Sequence, residues 1–225
     1  MFLNTHSWFS FKYGILSPEA LLEEAAKAGV RTLALTDIHN TAGMPDFVRL
    51  APKYGIRPVA GIEFRQGPRL LYIGLAKNNA GYQQLNELLS PHLLDGGILP
   101  EGPPEFSEAF FILPFGTPPR TLHPNERIGI RPCELTRLPF SPWAKRMSEL
   151  VALLPVTFRN KADFNTHRLL RTMAGNTLIS QLPAEELAGP DERLRSAAEV
   201  GLLYRDHPQL LRNTEALLEQ CRIAM

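Results

Sequence analysis

Three groups of polar residues stand where short apolar runs end, and their side chains are of types that bind metal ions. His6, with Asn4 one strand period before it, ends the first run. The stretch TDIHN at 36–40 ends the second run, and Glu63 follows VAGI. Imidazoles and carboxylates that converge from separate strands could bind Zn, Mn or Mg. Asp, Asn and Ser are also ordinary turn residues, and spacing alone slightly favours that interpretation.

Alternating strands and helices must position these groups. Apolar runs predict strands at the start of 2–14 and at 31–37, 56–64, 69–77, 109–115, 126–132 and 150–158. Helical spacing predicts helices at 18–28, 43–54, 80–90, 162–173 and 207–221, with early ends at Pro52 and before Pro91. The alternation predicts an α/β fold with a mainly parallel sheet of six or seven strands, barrel-like or doubly wound. Such sheets carry their active sites at the carboxyl ends of the strands.

Composition narrows the function classes. The chain has 225 residues, 44% of them apolar, so it can bury a large core. Its net charge of +1, from 24 basic and 23 acidic residues, gives no overall attraction to DNA. Two cysteines without a CxxC pair favour a reducing compartment. No apolar run of about 20 residues and no signal peptide appear, so we expect a cytoplasmic protein without membrane contact.

Several common catalytic motifs are missing from the sequence. There is no GxSxG, no GxxxxGK[ST] and no GxGxxG, so a serine-hydrolase elbow and the usual phosphate-binding loops are not supported. His167 stands alone among apolar neighbours on a predicted helix, and a lone helical histidine is more often a satisfied core or surface residue than a ligand. Cys133 has no histidine near it and is interpreted as a structural thiol.

Six segments, in order along the chain, resemble one known family. They are LNTHSWFSFKYG, LALTDIHN, YGIRPVAGIEF, LAKNNAGYQQLNELLS, NTHRLLRTMAGNTL and HPQLLRNTEALLEQC. They resemble the PHP (polymerase and histidinol phosphatase) domain at the N-terminus of bacterial DNA polymerase III alpha subunits. Each segment is moderate evidence by itself, and the six together cover nearly the whole chain.

The resemblance implies a fold and a context. The fold is a distorted, TIM-like (β/α)7 barrel, formed by residues 1–225 as a single PHP domain. The chain then corresponds to a domain excised from the N-terminus of a longer replicative polymerase, a DNA-directed DNA polymerase. The implied partners are the palm, thumb and fingers of that chain, DNA through the full polymerase, and a separate proofreading exonuclease subunit.

The family's metal-ligand positions match this sequence poorly. His6 and Glu63 are retained, whereas the other ligand positions fall on four residues of different type: Asn4, Tyr13, Ile38 and Leu71. Asp37 also matches a family residue, a mainly structural one that could serve as a further ligand. The family's late Asp and His pair has no counterpart. Since a catalytic zinc normally keeps three protein ligands, two cannot hold a metal cluster, and we expect no cofactor.

Three hypotheses follow. The first is a PHP domain with a degenerate metal site that acts as a structural and docking module and is not itself catalytic. The alternative is an active Zn- or Mn-dependent phosphoesterase or 3′–5′ exonuclease, with a site rearranged around His39, Asp37, Asn4 and His167. The third is a free-standing binding protein of the same fold, unrelated to replication.

Overall fold

The computed structural model describes residues 1–224, which form a mixed α/β fold. The strands are β1 (Asn4–Thr5), β2 (Thr32–Leu35), β3 (Arg57–Gln66), β4 (Arg69–Ala76), β5 (Ala109–Pro114), β6 (Glu126–Ile130), β7 (Leu150–Ala152) and β8 (Pro155–Val156). The helices are α1 (Pro18–Lys27), α2 (Met44–Leu50), α3 (Asn79–Asp95), α4 (Lys161–Gly175), α5 (Ala197–Leu203) and α6 (Pro208–Glu219). All the predicted strands and helices are present, except that the single strand predicted at 150–158 is divided into β7 and β8, and α5 is an addition.

A curled sheet organises the fold. Its main part has the order β2-β3-β4-β5-β6-β7, in which β4 runs antiparallel to both neighbours and the other pairs are parallel. β4 is the exception because Gly67, with φ 58°, reverses the chain directly after β3. β1 pairs with β8 in parallel and also bonds to β2, where the Thr36 amide donates to the Thr5 carbonyl. Only two residues separate β7 from β8, so the sheet turns back toward its beginning.

One end of helix α3 differs from its prediction. We predicted an end near Ser90, before Pro91, and this is wrong because the helix continues to Asp95. Pro91 removes a single amide donor, and it lies on the exposed side of the helix, where its ring displaces no packed neighbour. The helix ends instead at Gly96, whose left-handed φ of 65° suits glycine at a helix terminus.

Two apolar layers surround the sheet. The larger layer lies between the sheet and helices such as α1, whose Ser17 cap accepts a hydrogen bond from the Ala20 amide and whose Leu21, Leu22 and Ala25 are buried. The smaller layer takes residues from five strands (β2, β3, β4, β5 and β7), the residues flanking β1 and β7, and three residues from α6 and its end: Leu3, Ala34, Val59, Ile73, Leu75, Phe110, Ile112, Val151, Leu153, Leu217, Leu218 and Cys221. None of the helices described within 1–224 has the length and apolar character needed to span a membrane.

Candidate functional site

Three of the residues predicted for the site meet at one end of the sheet. Glu63, fully buried on β3, accepts a hydrogen bond at Oε2 from Asn4 Nδ2 at 2.5 Å. The same oxygen lies 3.1 Å from Nε2 of His6, which follows β1. Parallel pairing of neighbouring strands brings these residues together from positions 57 and more apart in sequence.

Arg65 completes this cluster, and sequence analysis missed it. Its Nε donates to the second oxygen of Glu63, and its terminal NH2 donates to the Tyr13 hydroxyl at 3.2 Å. The guanidinium carbon lies 4.5 Å from the centre of the Tyr13 ring, within the range of a cation–π contact. Only 13% of the Arg65 side chain is exposed. The spacing from Glu63 gave no clear signal, since a register shift between Phe64 and Arg65 interrupts the alternation of faces along β3.

The charges of the cluster are set by this neighbourhood. Burial alone would raise the pKa of Glu63, but Arg65 and His6 hold that pKa well below its usual range. Burial would lower the pKa of Arg65, and the Glu63 carboxylate outweighs it and raises that pKa. Burial, the largest effect on Tyr13, raises the pKa of its hydroxyl. The cluster therefore holds an ionised carboxylate, a charged guanidinium and a neutral phenol.

Both ring nitrogens of His6 are engaged. Nε2 faces Glu63, and Nδ1 lies 3.0 Å from Thr157 Oγ1. Thr157 in turn donates its one hydroxyl hydrogen to Glu192 Oε2 at 2.9 Å, so it accepts from the His6 ring. Both ring nitrogens are thus occupied by protein partners in the buried interior.

Asp37 holds a loop and makes no hydrogen bond to this cluster. Its carboxylate accepts from the Ser7 amide at 2.7 Å, from the Ser7 hydroxyl at 2.6 Å and from the Ser10 hydroxyl at 2.6 Å. Burial raises the pKa of Asp37, and the hydrogen bonds from Ser10 and Ser7 act in the opposite direction. The residue thus ties the segment after β1 to the end of β2.

Ile38 and His39 lie beside Arg65. Ile38 lines a cavity of about 240 Å³ together with Tyr13 and Arg65. His39 has a positive φ of 49°, and its Nε2 accepts a hydrogen bond from the backbone amide of Arg65 at 2.8 Å. Burial is the main cause that lowers the pKa of His39 to about 4. The imidazole holds the backbone at Arg65.

Leu71 lies apart from these residues. It belongs to the larger apolar layer and lines a separate cavity of about 780 Å³, formed beyond the ends of β5, β6 and β7. The structure therefore places Asn4, Tyr13 and Ile38 around Glu63 and Arg65, whereas Leu71 contributes to the core.

His167 is a satisfied core residue, as predicted for a lone helical histidine. Its Nδ1 donates to the Tyr13 carbonyl at 2.8 Å, and its Nε2 accepts from the Ala188 amide at 2.9 Å. A proton on Nε2 would point at the Ala188 N–H. It would also place a positive charge in the buried interior. Burial accordingly lowers the pKa of His167 to about 4.

This histidine predicts an acid-sensitive fold. Its folded pKa of about 4 lies below the ordinary value of 6.5, so the unfolded chain takes up the proton first. The contribution of His167 to the free energy of unfolding is complete above pH 6.5. It is lost as pH falls toward 4, by about 3 kcal/mol in total. Urea unfolding at pH 7.5 and pH 5 should therefore show a smaller pH effect in His167→Gln than in wild type. The exposed His123→Gln variant is the control, and equal pH effects in both variants would contradict the assignment.

Ligand-type side chains do not gather into a larger group. Within residues 1–224, no three His, Cys, Asp or Glu side chains are placed so that they could hold a metal ion together. Glu63 and His6 meet as a pair, and both are already engaged by protein partners.

Comparison with known families decides the relationship. A family model described as the PHP domain matches residues 3–111, a range that contains His6, Asp37 and Glu63. Over that range the chain is similar to the PHP domain. The predicted resemblance to DNA polymerase III alpha subunits is confirmed by relatives that match the PHP chain almost from end to end.

Those relatives are much longer proteins. A DNA polymerase III subunit alpha of Bacillus subtilis is 26% identical over 98% of the PHP chain and 23% of its own length. The corresponding Escherichia coli subunit is 25% identical over 99% of the PHP chain and 23% of its own length. An error-prone DNA polymerase of Mycolicibacterium paratuberculosis is 35% identical over 42% of the PHP chain and 10% of its own length. The PHP chain thus spans about a quarter of the DNA polymerase III relatives.

Two solved structures show distant similarity. An amidohydrolase from Chromobacterium violaceum has a TM-score of 0.35 and 15% identity, covering 96% of the PHP chain and 98% of its own. A candidate metal-dependent phosphoesterase from Bifidobacterium adolescentis has a TM-score of 0.37 and 14% identity, covering 97% of the PHP chain and 73% of its own.

Proposed function

We propose that this chain is a structural and docking module of a bacterial replicative DNA polymerase, with a PHP site that no longer works as a metal centre. The observation that carries the proposal is the bonding of Glu63. One carboxylate oxygen accepts a hydrogen bond from Arg65. The other accepts a hydrogen bond from Asn4 and faces His6. A catalytic zinc needs about three protein ligands and an open position, so the residues here do not fit a metal.

The proposal includes the fold expected of such a module, a distorted (β/α)7 barrel over residues 1–225. Two features support it. β1 bonds to both β2 and β8, and β8 follows β7, which pairs with β6, so the pairing of β1 with β8 lies where such a barrel would close. The smaller apolar layer, to which five strands contribute side chains and which α6 closes at one end, corresponds to the interior of such a barrel.

The proposed context is the cytoplasmic replication machinery. Its support is the end-to-end similarity to DNA polymerase III alpha subunits, of which this chain spans 23%. The proposed partners are the remaining polymerase domains, DNA bound by the full enzyme, and a proofreading subunit. The near-neutral net charge of +1 agrees with a module that does not bind DNA tightly by itself.

Metal content and hydrolysis test the loss of metal chemistry. Protein prepared with Zn, Mn or Mg should carry less than about one ion per chain by mass spectrometry, because three protein ligands are lacking. It should release no more nucleotide from a 3′-labelled strand than His6→Ala or a protein-free blank does. Several bound ions, with hydrolysis that His6→Ala abolishes, would instead support the rearranged phosphoesterase or exonuclease.

The link to replication is tested in cells that express the protein. Rapid depletion should stop incorporation of labelled thymidine before total protein synthesis declines. Unchanged incorporation after complete depletion would contradict the replicative role and would leave a free-standing binding protein as the better hypothesis.

A further inference from the structure

A buried carboxylate needs a compensating positive charge. Glu63 is fully buried, and an isolated ionised carboxylate in such a place would be strongly destabilising. The guanidinium of Arg65 bonds directly to Oε1 of Glu63. The Asn4 amide and the His6 ring contact Oε2 of the same carboxylate. In the metal-binding domains that this sequence resembles, the corresponding glutamate is a ligand of a metal cation.

Tyr13 holds the guanidinium of Arg65, and His39 holds its backbone. Tyr13 offers its ring face at 4.5 Å and its hydroxyl oxygen at 3.2 Å, while His39 accepts the Arg65 backbone amide. The Tyr13 ring is itself fixed by edge contacts with His6 at 5.3 Å and with His167 at 4.7 Å between centroids. An arginine held by these contacts loses little freedom when it forms the ion pair.

Residues at two of the altered ligand positions surround Arg65. Tyr13 stands where the resemblance places an aspartate ligand, and Ile38 where it places a histidine. The first supplies the aromatic face on which the guanidinium lies, and the second is an apolar wall of the same small cavity. Both residues therefore lie beside Arg65 at positions where the resemblance expects ligands.

We propose that the Arg65 guanidinium is an internal cation that has taken over the structural role of a metal at this site. It links the ends of β1 and β3 through Glu63 and the loop after β1 through Tyr13, so the fold keeps its strand ends in place without an ion. This inference rests on the proposed function, since it presumes that wild type binds no metal here.

The arrangement requires a guanidinium and not only a positive charge. The planar fork of arginine can bond a carboxylate and a hydroxyl and lie on an aromatic ring at the same time, whereas the ammonium of lysine is a compact point charge. Arg65→Lys should therefore recover only part of the stability that Arg65→Ala loses.

Chemical rescue tests the proposal. Arg65→Ala should lower the folding equilibrium constant about 100-fold or more, because a buried carboxylate loses its partner. Ethylguanidinium at low millimolar concentration should enter the space left by the side chain and restore about 10-fold, as expected for a ligand that binds only the folded state well above its dissociation constant. Equal concentrations of ethylammonium should restore less. The matched control is Arg49→Ala, which removes an exposed arginine paired with the exposed Asp46, and it should show no rescue.

The outcomes separate the two proposals. If ethylguanidinium has no effect on Arg65→Ala, or acts equally on Arg49→Ala, the internal-cation role is wrong while the proposed function stands. If wild type binds zinc at this site, the proposed function fails as well. Should Arg65→Ala not fold by itself, refolding yield with and without ethylguanidinium replaces the equilibrium measurement, and an unchanged yield overturns the inference.

Discussion

Exchange of Gly14 for alanine should destabilise the protein by more than about 3 kcal/mol, one of the two largest single-residue effects that we expect. A β-carbon at this position would lie 1.8 Å from the carbonyl oxygen of Ser7 and 2.5 Å from its carbonyl carbon. Both atoms are backbone, so no side chain can rotate away. Ser7 cannot retreat either, because its amide and its hydroxyl are bonded to Asp37.

Equilibrium unfolding in urea measures this effect. Gly116→Ala is the matched control, since Gly116 has open space around its β-carbon position and no left-handed φ. We expect the control to change the free energy of unfolding by less than about 0.5 kcal/mol. A Gly14→Ala variant as stable as Gly116→Ala would show that the segment after β1 packs differently from the structure described above.

Asp37→Asn should cost about 3 kcal/mol or more. Asp37 receives three donors on its two oxygens: the Ser7 amide, the Ser7 hydroxyl and the Ser10 hydroxyl. Asparagine replaces one acceptor oxygen by an NH2 group, which would face these donors. If the asparagine oxygen stays with the Ser7 amide and the Ser10 hydroxyl, the NH2 group faces the Ser7 hydroxyl, whose buried hydrogen loses its acceptor.

The free energy of unfolding of Asp37→Asn should be compared with that of Asp206→Asn. Asp206 is 79% exposed and lies next to Arg205, so its charge is screened by water and its replacement should have little effect. Because the carboxylate of Asp37 acts as a structural acceptor, the variant should lose stability under metal-free conditions too. A loss that appeared only after metal was added would indicate that Asp37 is a ligand instead.

Periodicity identified most of the fold because the helices and strands bury one face or both. Strands β4 and β5 are nearly continuous apolar runs, and α1 has a cap, an apolar side and an end signal in its local sequence. The end of α3 was missed because whether a helix tolerates Pro91 depends on what surrounds the ring. Helix α5 was missed although Ser196 and Glu199 form a capping box at its start, a local signal that could have found it.

For the site, sequence analysis identified individual positions and missed how they are connected. Asn4, His6 and Glu63 lie close together because the strand ends that carry them share one edge of a sheet. The role of Arg65 requires knowing that its side chain turns inward past a register shift between Phe64 and Arg65 and lies on Tyr13. An arginine after a strand is ordinarily a surface residue, so sequence alone gave it no role.

The pairing of β1 with β8 also constrains how the chain reaches its folded state. Asn4 and Thr5 pair with Pro155 and Val156, so this contact joins residues about 150 positions apart. Such a contact carries a large loop-closure cost and favours slow folding. During synthesis, one side of β1 has no partner until residue 156 has left the ribosome. Of the strands β1–β8, the first to be made is therefore among the last to be completed, and a chain released before that point would expose its edge to other chains.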